Sequence, residues 1–355
     1  MKHVRSTVLA GCALAALTSA VVLAHPEAGL PVPPDSAAVT SVIKTGSGDN
    51  SYQSVANWCQ IPEGRKTLGS THGGVVVDKQ GLIYFTMNSD APGILVYSAD
   101  GKLVRGIAGN LTGIHGLCIN EENGEQFLYG AHLSGSNAVK LKLDGTVVWT
   151  IPVPMESGKY KEAKQYKPTG ICVAPNGHVY VADGYGQNWV HEFDENQKYV
   201  RSFGGPGTEP GKFKTCHGIA LDTRGPKPLL LICDRENHRL QHFDLDGNFV
   251  AVVTDDKPHR PCSVSFHGKD VAVAELDGRV VILDENNKVV SVLGENENPK
   301  QKANYNVPPA DWHEGIFNAP HGISYDKDGN LYVEDWNASG RIVKMEHVTA
   351  QARAD

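Results

Sequence analysis

Apolar and polar positions alternate in short runs along most of this chain, and turn residues bound each run. Gly177-His178-Val179-Tyr180-Val181-Ala182-Asp183 follows an Asn-Gly pair, and Gly329-Asn330-Leu331-Tyr332-Val333-Glu334-Asp335 follows Asp-Lys-Asp. A period of two between such turns predicts strands paired as hairpins. Asp100-Gly101, Asp144-Gly145 and Asp246-Gly247 mark further turns, each leading into β-branched residues. The unit recurs six times. Its openings are Thr71-His72-Gly73-Gly74, Ile114-His115-Gly116-Leu117, Pro168-Thr169-Gly170-Ile171, Cys216-His217-Gly218-Ile219, Pro261-Cys262-Ser263-Val264 and Pro320-His321-Gly322-Ile323. Their second positions stand 43 to 59 residues apart, which suits four strands plus variable loops. One such sheet cannot bury both faces, whereas a ring of them can. The expected fold is therefore all-β, a six-bladed β-propeller over residues 51–347. Residues 52–61 are expected to supply an outer strand that closes the ring. Residues 25–50, rich in Pro, Ser, Gly and Ala, read as a flexible linker, and 348–355 as a C-terminal tail.

Composition supports this reading and removes other classes. With 38 glycines and 20 prolines in 355 residues, the chain has the turn chemistry of short strands. A formal charge of −7 excludes a strongly basic nucleic-acid binder. Lys2 and Arg5 precede an almost wholly apolar run ending at Ala24, which reads as a signal peptide over residues 1–24. The protein is thus expected to be secreted or periplasmic, without a membrane span, and monomeric. Leu9-Ala10-Gly11-Cys12 imitates a lipoprotein box, but too few apolar residues precede it. In an exported chain the six remaining cysteines allow one or two disulfides, with pairing unreadable from spacing.

The openings carry the candidate chemistry. In a propeller the innermost strands line the axis, so equivalent positions at their starts converge. Four of the six second positions are histidine: His72, His115, His217 and His321; the others are Thr169 and Cys262. Imidazoles gathered in this way suit a transition metal. His132, His178, His191, His238, His242 and His347 fall in outer strands or turns and are expected at the surface. Asp183, Asp234 and Asp335 recur at strand ends and read as structural ties between blades.

Units three and four carry a more specific signal. Val181-Ala182-Asp183-Gly184-Tyr185 is followed by Phe193-Asp194, Phe203-Gly204-Gly205 and Pro210-Gly211-Lys212-Phe213, then by His217 and by Cys233-Asp234-Arg235-Glu236-Asn237-His238. This run resembles NHL-repeat propellers, specifically the peptidyl-α-hydroxyglycine α-amidating lyases, loosely over all six units and closely over residues 168–243. The resemblance implies a lyase that splits a peptidyl-α-hydroxyglycine into peptide amide and glyoxylate. It implies zinc on His115, His217 and His321, with Tyr185 as catalytic base and Arg235 as the carboxylate partner. Four departures accompany it. Met87 stands where a second family arginine is expected. Gly322 replaces an acidic calcium ligand, which puts calcium in doubt. Gly186 replaces a disulfide cysteine. His72 replaces a backbone contact, which opens a four-histidine iron or copper oxidoreductase as an alternative. A non-catalytic NHL binding module is the third reading. For the enzyme readings the partner is a small-molecule or peptide substrate.

Overall fold

The computed structural model describes residues 43–253 and 259–348. The expected signal peptide, residues 25–42 of the expected linker and residues 349–355 of the expected tail lie outside the described residues. Six antiparallel sheets succeed one another along the chain, each meandering from an inner strand outward. Their inner strands are Thr71–Val77, Ile114–Glu122, Gly170–Val173, Cys216–Asp222, Pro261–His267 and Pro320–Tyr325, for blades 1 to 6. The protein is a six-bladed β-propeller.

Blade 6 takes its outer strand from the other end of the chain. Asn50–Ser54 pairs antiparallel with Arg341–His347, setting Tyr52 opposite His347. Lys44–Ser47 then pairs with Asn50–Ser54 as a fifth strand. The linker expected over residues 25–50 therefore ends early, because Lys44 onward is sheet.

Turns between strands reuse one device. Asp194 Oδ1 accepts the N–H groups of Asn196 and Lys198, at 2.9 and 2.8 Å. Asp244, Asp284 and Asp326 do the same two and four residues on. A short carboxylate thus satisfies donors that the tight turn would leave bare. Adjacent blades then press their apolar faces together. Tyr180, Phe203, Phe213 and Phe243 fill the space between blades 3 and 4, and Tyr52, Phe317, Val333 and Met345 pack with Ala272 and Ile282 between blades 5 and 6. Each large side chain so buried contributes roughly 1.5–3 kcal/mol.

The strand-end acids act within a blade rather than between blades. Asp183 accepts the Lys167 and Gln187 N–H groups at 2.6 and 2.7 Å, and Asp335 those of Asn318 and Ala319. Each carboxylate so anchors the loop that leads into its own inner strand. His132 holds the corresponding place in blade 2, with Nε2 3.1 Å from Thr112 O. It is buried, as are His191 and His242, contrary to the surface positions expected for them. His191 sits between Tyr160 and Ser202, and His242 pairs with Asp222. The six described cysteines are all free. The expected disulfides are not formed among them.

Candidate metal centre

Register explains how far-apart residues reach the axis. In blade 2, Ile114 faces His132 and Gly116 faces Ala131, so His115 is the extra residue of a β-bulge. In blade 6, Pro320 faces Asp335 and Gly322 faces Glu334, leaving His321 extra. The same count leaves His217 extra in blade 4 and Cys262 in blade 5. A bulge turns its extra side chain out of the sheet plane, here toward the axis. Blade 1 differs. Thr71 faces Met87 and Val75 faces Phe85, so two residues, His72 and Gly73, are extra. Gly73, not His72, holds the place that His115, His217 and His321 hold in their blades.

Those three histidines come from alternate blades and form a near-equilateral set, with ring centroids 4.6 to 4.7 Å apart. Each is only 2% exposed. Each also points Nδ1 at a carbonyl of the next blade: His115 at Thr169 O (2.7 Å), His217 at Cys262 O (2.8 Å) and His321 at Gly73 O (2.9 Å). A carbonyl can only accept, so Nδ1 carries the proton and Nε2 presents a bare lone pair. Burial keeps the rings neutral. It pushes His115 down to about 4, with Arg235 adding to the effect, and puts His217 and His321 well below the usual range. Neutral imidazoles with their second nitrogen tied to an oriented acceptor are good metal ligands.

His72 joins from its longer bulge, less buried than the others. Its ring lies 4.7 Å from those of both His115 and His321, and 5.6 Å from Trp336. The ligand atoms of His72, His115 and His321 lie within 4.8 Å of one another, as do those of His217, Cys262 and His321.

Above the ring stands Tyr185, carried on the loop after the second strand of blade 3. Glycines flank it for steric reasons. A Cβ on Gly184 would lie 2.2 Å from Cys216 O, and one on Gly186 would lie 2.1 Å from Asp183 Oδ1. Tyr185 Oη is 3.1 Å from His217 Nε2 and 3.3 Å from His115 Nε2, and it accepts from Arg235 Nη1 at 3.0 Å. Burial raises the phenol, while the Arg235 guanidinium pulls it back down. Glu236 holds Arg235 at 2.9 Å and is itself held by Arg260 at 3.1 Å. The structure thus brings all six sequence-predicted site residues, His72, His115, His217, His321, Tyr185 and Arg235, to one place. Met87, by contrast, is buried in the apolar core and takes no part.

The donor set fits a cation. One phenolic proton cannot satisfy two bare nitrogens, and buried His321 Nε2 has no partner at all. A positive ion would supply what the ring lacks. Beneath the ring, a channel of about 330 Å³ runs between the inner strands.

Sequence reasoning missed Glu334. It is fully buried opposite Gly322, its carboxylate has no side-chain partner and faces the Gly73 backbone, and burial raises its pKa well above normal. Thr86, Ala131, Ala182 and Ala274 hold the same register place in other blades. An acid among these small residues was the available signal.

The NHL repeat family matches residues 166–193 and 317–345. A probable peptidyl-α-hydroxyglycine α-amidating lyase of Caenorhabditis elegans is 31% identical over 134 residues, 36% of each chain. The chain is an NHL-repeat propeller that resembles the amidating lyases. This NHL propeller is also 28% identical to human NHL repeat-containing protein 3 over 241 residues, 64% of this chain and 67% of that one. Rat peptidylglycine α-amidating monooxygenase is 28% identical over 199 residues, 51% of this chain but 19% of the rat protein. The NHL propeller thus spans only about a fifth to a third of the amidating relatives' lengths. Among solved structures, a streptogramin B lyase superposes with a TM-score of 0.55 at 13% identity, covering 81% of this chain and 96% of that one. At that identity the likeness concerns the fold alone.

Proposed function

We propose that the protein is a secreted, metal-dependent lyase that cleaves peptidyl-α-hydroxyglycine into peptide amide and glyoxylate. One observation carries this reading: a three-histidine ring, a tyrosine hydroxyl and an arginine meet at the propeller axis. His115, His217 and His321 would hold zinc through Nε2. Bound there, zinc supplies a Lewis acid that polarises the substrate's hydroxyl or carboxylate oxygen.

The chain's own residues do the rest. Tyr185 Oη, as phenolate, takes the proton of the substrate's α-hydroxyl. The electrons left on that oxygen form the aldehyde carbonyl, and the carbon–nitrogen bond breaks toward nitrogen. Tyr185 returns the proton to that nitrogen, so the balance closes without water. Arg235, 3.0 Å from the phenol oxygen, makes the phenolate less costly and pairs with the substrate carboxylate. Glu236 keeps the guanidinium in position from its far side. Gly322 brings no carboxylate for calcium, so no step is assigned to that ion.

The test is elemental analysis of purified protein, followed by glyoxylate release from a model α-hydroxyglycine peptide. Zinc-replete wild type should release glyoxylate, and Tyr185→Phe should release it far more slowly. No release from metal-replete wild type would reject the lyase reading.

One observation favours a second reading. His72 stands as close to His115 and His321 as those two stand to each other, the arrangement a four-histidine iron or copper oxidoreductase needs. Iron or copper with a visible spectrum would select it. The match to NHL repeat-containing protein 3 supports a third reading, a binding module. Ligand capture that survives joint removal of His115, His217 and His321 would select that one.

A further inference from the structure

The axial ring contains a donor that the histidine pattern leaves out. Cys262 is the bulge residue of blade 5, the counterpart of His217 one blade on. Its carbonyl accepts the His217 Nδ1 proton at 2.8 Å, and its side chain is completely buried. Its sulfur and one ring nitrogen each of His217 and His321 lie within 4.8 Å of one another.

Thr169, the counterpart in blade 3, shows what a committed side chain looks like at this position. Its hydroxyl donates to Cys216 O at 2.8 Å and accepts from Gly184 N–H at 3.2 Å, so it serves the backbone. Cys262 Sγ serves no backbone turn of this kind: it lies 3.8 Å from Arg260 O and beside the Arg235 guanidinium, which can hydrogen-bond to it. The second observation is His321 Nε2, buried and without a partner in the same cluster. A buried sulfur and a buried bare nitrogen in one cluster are two candidate ligand positions.

We propose that Cys262 is a thiolate ligand of the axial metal, alongside His217 and His321. This rests on the reading of the ring as a metal centre and adds to it the ligand set. Binding exchanges the thiol proton, which leaves to solvent, for a metal–sulfur bond. The Arg235 guanidinium offsets the negative charge left on sulfur. A soft donor favours zinc, cobalt and copper over magnesium and calcium. It also makes the site sensitive to thiol oxidants, which a ring of imidazoles alone is not.

The experiment loads the full chain with cobalt(II) and records its absorption spectrum. Wild type should show the visible bands of four-coordinate cobalt and an intense near-ultraviolet thiolate-to-cobalt band. Cys262→Ser should lose the near-ultraviolet band and keep the visible ones, while Cys59→Ser, a remote control, keeps both. Visible bands with no near-ultraviolet band in wild type, or a band unchanged in Cys262→Ser, would overturn the proposal and leave the metal centre standing. Protein that binds no stoichiometric cobalt would overturn the metal centre itself. Should Cys262→Ser not fold, cobalt-edge X-ray absorption on wild type decides: a sulfur neighbour supports the assignment and a shell of nitrogen and oxygen alone rejects it.

Discussion

Even and odd blades meet at the same axis and contribute different things. Blades 2, 4 and 6 each send in an imidazole, while blades 3, 5 and 1 each send in a carbonyl that receives that imidazole's Nδ1 proton. A six-fold repeat has become a three-fold device in which one blade supplies an imidazole and its neighbour aims it. The lesson is that orientation is built into backbone, where side-chain comparison does not see it.

Removing an even-blade ligand should have the largest effect. His217→Ala should reduce bound metal to background by elemental analysis and abolish glyoxylate release. Tyr185→Phe, which spares the ring, should keep the metal and lower release by about 10²–10⁴-fold. Disturbing an odd blade should cost less. A Cβ on Gly73 would fall 1.6 Å from Thr86 Oγ1, so Gly73→Ala must shift the carbonyl that aims His321. Metal affinity in a competition titration should fall by roughly 10–100-fold, the usual effect of losing such a partner.

The junction of blades 6 and 1 offers a pH test, because Glu334 is buried there without a side-chain partner. Its folded pKa is raised, so stability falls as pH rises past about 4.3, where the unfolded chain's glutamate releases its proton and the folded one keeps its own. In metal-stripped protein, Glu334→Gln should match wild type near pH 4 and exceed it by about 1–3 kcal/mol at pH 8, measured by urea unfolding. The smallest change is expected from His72→Ala, which should leave zinc content intact. Loss of the metal there would instead favour the four-histidine oxidoreductase.

The six-bladed ring was legible, because turn residues and alternating strands repeat six times and a closed ring satisfies both faces of such sheets; the added strand Lys44–Ser47 was not, because its run reads as a linker. The convergence of His115, His217 and His321 could be read from the same repeat, whereas Tyr185 and Arg235 came from the resemblance to the amidating lyases. The standing of His72 could not. Counting from each His-Gly pair aligns it with the others, whereas pairing against Met87 and Phe85 shows a bulge one residue longer. Strand register depends on the partner strand, and no local pattern records it. The buried histidines 132, 191 and 242 were misplaced for a related reason. Alternation identifies a strand's two faces, but in a propeller both faces of most strands meet a neighbouring blade.

The hydrogen bond from His321 to Gly73 joins residues 248 positions apart, across the seam where the ring closes. As the polypeptide leaves the ribosome, His115 and His217 can find their acceptors as soon as the following blade has formed. His321 must wait for the last blade to dock against the first, with Asn50–Ser54 zipped along its edge. Aiming of the third imidazole thus reports that the circle is complete, and a nascent or truncated chain would have at most two imidazoles so aimed.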